Sequence, residues 1–131
     1  MKLADKIHSV LCDDIRSELG NKYSLMGIYP KNIVIQNFPA ILPKICLCIM
    51  LEGLLDNISE CYVTLKCPEM DPIEINMKFD KKNNIGNNVT IFAVVAPFRA
   101  NKPGPAKFEV RFDKNKKPSL IHKFEIQQAA K

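Results

Sequence analysis

The feature that most constrains this chain is a repeated alternation of apolar and polar residues in short segments. In the segment 73–79, every odd position is apolar and every even position is polar. Such a period of two lets a strand present one face to a core and the other to water. Similar short segments follow one another along the chain, each ended by Pro, Gly, Asn or Lys-Asn, and none keeps an apolar period near about 3.6 residues. The sequence therefore predicts an all-β protein.

Turn signals divide the first third of the chain into short strands. The first strand is predicted over residues 6–12, followed by a polar stretch at 13–21, and the second over 22–29. A third short strand is predicted at 33–35. The two prolines of the segment 38–43 predict an extended corner or a tight turn there, because proline cannot donate to a central sheet ladder.

Two later segments, 44–51 and 89–96, are apolar at both parities, and this pattern predicts strands that are buried on both sides. Between them, the segments 61–67 and 73–79 return to clean alternation. The last two predicted strands alternate on either side of the Lys-rich loop 114–118, which is typical of a β-hairpin.

Length and strand number together indicate the architecture. A chain of 131 residues lies in the range of one domain, so residues 1–131 are taken as a single unit. An OB-type barrel uses too few strands. We therefore predict an antiparallel β-sandwich of about 8–9 strands, with immunoglobulin-like or C2-like Greek-key connections. The chain has no Trp, and so it lacks the Cys, Trp and Cys core of antibody domains.

Charge is distributed unevenly along the chain. Residues 1–65 carry six basic and seven acidic side chains, whereas residues 66–131 carry thirteen basic and seven acidic ones. Such asymmetry can mark a surface for nucleic acid or for an anionic partner. It can equally reflect solvated turns, because several of these lysines fall in predicted loops, and this second interpretation is favoured.

Cysteine usage indicates a reducing compartment. The five cysteines are an odd number, which excludes a complete internal set of disulfides, and we interpret them as reduced core residues. No secretory signal is recognisable at the start, and no apolar run reaches the roughly 20 residues of a membrane-spanning helix. The predicted location is the cytoplasm, and no membrane span is expected.

The first third of the chain carries a more specific pattern. It contains Cys-Asp-Asp-Ile-Arg at 12–16, then Gly-Asn-Lys-Tyr-Ser-Leu-Met-Gly-Ile-Tyr at 20–29, then Phe-Pro-Ala-Ile-Leu-Pro-Lys at 38–44. These segments resemble a family of small, uncharacterised bacterial proteins. The resemblance implies a compact β-sandwich and supplies no activity, ligand or catalytic residue.

Two groups of residues are candidate interaction sites. Asp13, Asp14 and Arg16 could contact a partner, or the two carboxylates could accept backbone hydrogen bonds while Arg16 pairs with one of them. Phe98, Arg99 and Lys102 lie in the long loop 97–105 and include residue types that anchor interfaces. The alternative is an ordinary crossover loop whose aromatic ring lies under the sheet.

No segment carries a catalytic, cofactor or metal signature. A cysteine–histidine nucleophile would need a thiolate beside His8 or His122, yet no motif or helix accompanies any cysteine, and His122 has apolar parity. Cys46 and Cys48 are spaced too closely for a zinc knuckle. We therefore expect a non-catalytic module, without cofactor or metal, that binds a protein partner or itself. Binding of nucleic acid or an anionic surface through the basic second half is the alternative, and a cysteine hydrolase is a third.

Overall fold

The computed structural model describes residues 5–20, 22–53, 60–78, 88–112 and 117–130. These ranges contain strands and no helix, and therefore no helix that could cross a membrane. The all-β prediction is confirmed. The eleven described strands are β1 (Lys6–Glu18), β2 (Lys22–Tyr29), β3 (Asn32–Ile35), β4 (Ala40–Leu42), β5 (Ile45–Glu52), β6 (Glu60–Lys66), β7 (Ile73–Lys78), β8 (Val89–Val95), β9 (Phe98–Ala100), β10 (Gly104–Arg111) and β11 (Leu120–Gln128).

The described strands form two main sheets and a small ribbon. Sheet A has the order β2-β1-β5-β8, and sheet B has the order β3-β11-β10-β6-β7. Strands β4 and β9 pair with each other as a separate two-stranded ribbon. The strand number exceeds the predicted 8–9, partly because each of the two proline-rich segments contains a three-residue strand.

Apolar side chains from both sheets form one core. Strand β5 contributes its odd residues from Ile45 to Leu51, and β10 contributes Phe108 and Val110 from the opposite sheet, all essentially inaccessible to solvent. The rings of Phe108 and Phe124 stack with their centroids 5.9 Å apart. This packing of alternate side chains between two sheets is what the period of two predicted.

The segment predicted as a strand buried on both sides has that environment. Strand β5 lies between β1 and β8, and its even residues Cys46 and Cys48 are as buried as its odd ones. A sheet face that points away from the core is normally open to water. A second layer must therefore cover this part of sheet A.

The covering layer comes from an unexpected extension of the first strand. The prediction placed a polar stretch after Cys12, but β1 continues to Glu18 and pairs with β2 beyond the end of its pairing with β5. The ring of Tyr23 on β2 lies 4.7 Å, centroid to centroid, from the ring of Phe92 on β8. Since β1 and β5 separate these strands in the sheet, the β1–β2 hairpin bends back over the outer face of sheet A.

The predicted antiparallel pairing has one exception among the described strands, at one edge of sheet B. Strand β3 pairs with β11 in parallel, with Ile33 opposite Ile126 and both side chains in the core. The prediction of a proline corner before β5 is also incomplete, because Ala40–Leu42 pairs with Phe98–Ala100. Parallel neighbours need a long crossover, which a reading of adjacent segments does not reveal.

Candidate binding surfaces

The first predicted group, Asp13, Asp14 and Arg16, lies on β1 just beyond the end of its pairing with β5. The Asp14 carboxylate accepts a hydrogen bond from the backbone N–H of Ile15 at 2.9 Å and pairs with Lys44 at 2.6 Å and with Arg16 at 3.5 Å. The hydrogen bond from Lys44 is the main reason why the pKa of Asp14 is lowered. The predicted pairing of Arg16 with a neighbouring Asp is therefore present.

Asp13 has a separate role on the other face of the strand. Its carboxylate accepts a hydrogen bond from the hydroxyl group of Tyr29 and occupies the space beside Gly27 where a Cβ atom would lie. Gly27 has a φ of +68°, which a residue with a side chain rarely adopts. Glycine at position 27 therefore allows the Asp13 side chain to lie close to the backbone of β2. Asp13, Asp14 and Arg16 thus lie close together on β1, and their contacts are with residues of this protein that stabilise the bend.

Three cysteines lie beneath this bend. Cys12 is directly opposite Cys46 in the pairing of β1 with β5, and Cys48 follows on the same face. The thiols of Cys12 and Cys46 donate to the backbone oxygens of Asp14 and Asp13, at 3.5 and 3.7 Å. All five cysteines of the chain are free, as the composition indicated.

The thiols are poorly suited to nucleophilic chemistry. Burial is the largest cause that raises the pKa of Cys12 and Cys48 to about 11 and that of Cys61 to about 12, so thiolate is scarce near neutral pH. His122 faces sheet A, where its Nδ1 lies 2.7 Å from the hydroxyl oxygen of Ser9, and burial lowers its pKa. Among the described residues, no three His, Cys, Asp or Glu side chains are grouped as a metal site.

The second predicted group, Phe98, Arg99 and Lys102, does not form one exposed surface. Phe98 is completely buried in the core, whereas Arg99 is exposed beside it on β9. Lys102 forms an exposed ion pair with Glu69 at 3.1 Å. The structure thus supports the crossover-loop alternative for Phe98, since a side chain in the core is not presented to a partner.

The open edge of sheet A is apolar. Strand β8 pairs with β5 on one side, and within the described ranges no strand pairs with its other side. Its seven residues contain neither a charged residue nor a proline. On the outer face, Val94 is 48% exposed and Phe92 is half-buried. Unpaired N–H and C=O groups at such an edge are a template for another strand.

The outer face of sheet B carries a row of lysines. Lys107 on β10 lies directly opposite Lys66 on β6 and directly opposite Lys123 on β11. These three residues, with Lys31 immediately before β3, line an open concavity of about 840 Å³. Its lining also includes Pro68, Pro105, Ala106 and Phe124, and Glu125 is the one carboxylate among the described lining residues. We call this concavity the lysine groove.

An ion pair borders the lysine groove. The Glu109 side chain is buried, and its carboxylate contacts Lys66 at 2.5 Å and Arg111 at 3.8 Å. The hydrogen bond from Lys66 is the main cause that lowers the pKa of Glu109. Lys66 is therefore partly neutralised, whereas Lys107, Lys123 and Lys31 form no ion pair within the part of the chain that is described.

The sequence contained only an indirect signal for this groove. The excess of basic residues after position 65 includes Lys66, Lys107 and Lys123, and each lies at a polar parity of its strand. Their alignment depends on the pairing of three strands that are far apart in the chain. That register cannot be obtained from local periodicity.

The chain is similar to a known protein family. A model described as a family of unknown function (DUF6941) matches residues 7–123. Neither a curated protein nor a solved structure matches the chain significantly.

Proposed function

Since the chain belongs to DUF6941, a family of unknown function, we propose from its own surfaces that the protein is a non-catalytic interaction domain that self-associates through the open edge of β8. The observation that carries this proposal is the absence of charge and proline from all seven residues of that edge. Proteins that remain monomeric usually protect such an edge with lysine, proline, a bulge or a covering segment.

The other sheet edges are less suited to pairing. Strand β2 carries Lys22 and a glycine with positive φ, Gly27, and it bends away with the β1–β2 hairpin. Strand β3 has four residues, and β7 carries Glu74 and Lys78. Because β8 is longer than β3 and uncharged, it is the edge on which a second strand gains most from pairing.

A second copy of β8 would meet this edge without a charge at any position. Antiparallel pairing about a two-fold axis at Phe92 would place Val94 opposite Thr90 of the second copy, with no charge at any position. Such an interface is self-complementary, as two-fold dimers require. It would join two four-stranded sheets into one of eight strands along about 23 Å of strand.

The test is a measurement of mass in solution. Sedimentation equilibrium over a range of concentrations should show a reversible dimer of the wild-type protein. Val94→Lys should shift it to monomer, because a charge at the edge opposes strand pairing and Val94 is 48% exposed, so that folding is retained.

Ile121→Lys is the matched control. Ile121 is 44% exposed but lies on β11 inside sheet B, so this variant should dimerise as the wild type does. A monomeric wild type at every concentration, or equal association of the wild type and Val94→Lys, would refute the proposal. Loss of the dimer in both variants would show that the edge is not the interface.

A cytoplasmic location is part of the same proposal. It is supported by the five free cysteines, because reduced thiols persist in compartments that are kept reducing. The cysteine hydrolase receives no such support, since burial raises the pKa of every thiol.

A further inference from the structure

The lysine groove combines charge and shape in a way that the fold does not need. Like charges that lie directly opposite each other on neighbouring strands destabilise a sheet. Here Lys107 has a lysine opposite it on both sides, in β6 and in β11. Among the described residues Glu109 pairs with Lys66 and with Arg111, and it also attracts Lys107 without forming an ion pair with it. The row therefore lowers the stability of the unliganded protein, and an anion in the groove would relieve that repulsion.

We propose that the lysine groove binds a compact polyanion, a small molecule with three or more negative charges. Its volume of about 840 Å³ lies in the range of small-molecule sites. Adjacent strands are about 4.8 Å apart, so the row from Lys66 to Lys123 spans about 10 Å. Lysine ammonium groups act as point charges for phosphate and carboxylate oxygens, and Lys31 adds a fourth at the rim.

The lining favours a compact ligand over single-stranded nucleic acid. Binders of single strands combine a basic track with exposed aromatic rings on which bases stack. Among the described lining residues the one aromatic is Phe124, which is 5% exposed and whose side chain belongs to the core. Glu125 places a carboxylate beside the row, which would repel a long phosphate backbone that continued past it.

The experiment uses inorganic triphosphate and citrate as separate probes with the full chain. At low salt, at least one of them should raise the unfolding temperature by several degrees and give a saturable signal in calorimetry, and added NaCl should weaken that binding. Binding of triphosphate alone would show that the groove recognises phosphate groups, and binding of citrate alone would show that it recognises carboxylates. Binding of both would show that the ligand's negative charge determines recognition. A failure of both probes would overturn the proposal.

Lys107→Gln and Lys22→Gln separate a built site from net charge. Both remove one positive charge, but Lys22 lies on β2 in the opposite sheet. Lys107→Gln should weaken binding about tenfold, because a charge-assisted hydrogen bond is lost, while it raises the unfolding temperature of the unliganded protein. Lys22→Gln should leave affinity unchanged.

Two other results would refute this proposal. One is equal weakening of binding by both variants, and the other is tighter binding of an oligothymidylate than of either small probe. The proposal does not depend on self-association, because the lysine groove and β8 belong to different sheets. The Val94→Lys monomer should bind the probe with wild-type affinity.

Discussion

Replacement of Gly27 by Ala should destabilise the protein more than replacement of Gly20 by Ala. Both glycines have positive φ, +68° and +82° respectively. A Cβ atom at Gly20 would meet nothing within 4 Å, whereas one at Gly27 would overlap the carboxyl group of Asp13. Both substitutions therefore lose free energy because Ala must adopt a positive φ, but only Gly27→Ala must also displace Asp13.

The size of each effect follows from these contacts. The left-handed conformation costs a residue with a Cβ atom about 1–2 kcal/mol, which is the expected loss for Gly20→Ala. At Gly27 the Asp13 carboxylate must also rotate away from the hydroxyl group of Tyr29. Loss of that hydrogen bond adds about 1 kcal/mol, a low value for a charged acceptor because Asp13 is exposed. Gly27→Ala should therefore cost roughly 2–3 kcal/mol in total.

Urea denaturation of the two variants and the wild type measures this difference. With a slope of about 1–3 kcal/mol per molar urea, the midpoint for Gly27→Ala should fall by about 1 M or more. The variant Asp13→Ala provides a second control. In that background no carboxylate obstructs the new Cβ atom and only the Cβ of residue 13 remains close to it, at 3.0 Å, so the cost of Gly27→Ala should decrease toward that of Gly20→Ala.

Two results would refute this reasoning. One is a free energy of unfolding that changes equally in Gly27→Ala and Gly20→Ala. The other is a cost of Gly27→Ala that stays the same in the Asp13→Ala background. Either result would mean that Asp13 does not occupy the space beside Gly27 in solution.

Two further predictions concern buried groups. Native protein should react with iodoacetamide at pH 8 far more slowly than urea-unfolded protein at Cys12, Cys46 and Cys48, because the hairpin covers these thiols and burial raises their pKa. Mass spectrometry of labelled peptides measures this, and equal rates would contradict the covering hairpin. Lys66 lowers the pKa of Glu109 below the value of 4.5 in the unfolded chain. The ion pair therefore stabilises the fold fully at pH values above 4.5, and this stabilisation is lost as the pH falls through the lower pKa of the folded protein. In urea titrations at several pH values, the free energy of unfolding of Glu109→Gln should therefore fall less steeply in acid than that of the wild type. Equal pH dependence of the two free energies would contradict this prediction.

Local alternation was sufficient to predict most strands of the two sheets. The burial of β5 on both sides followed from Cys46 and Cys48 lying between apolar neighbours. The terminal hairpin followed from alternation around Phe108 and Phe124, which lie on the paired strands β10 and β11. In each case the faces of a strand are fixed by its own sequence, so no knowledge of distant partners was needed.

Features that depend on distant partners were not predictable. Asp13 and Asp14 are typical of turns, yet β1 continues through them because Tyr29, Lys44 and the close approach of Gly27 accommodate their carboxylates. The alignment of Lys107 with two other lysines needs the register of three strands. The parallel pairing of β3 with β11 likewise joins segments about ninety residues apart.

That parallel pairing also has a consequence for how the protein is made. Strand β3 has β11 as its sheet neighbour, and the latter begins at Leu120. At about 5–20 residues per second, a ribosome needs roughly 5–20 s to synthesise the chain between them. During that interval Ile33 and Ile35 belong to a nascent chain that does not yet contain β11, the strand that pairs with β3. Sheet B is thus completed only after β11 has been synthesised.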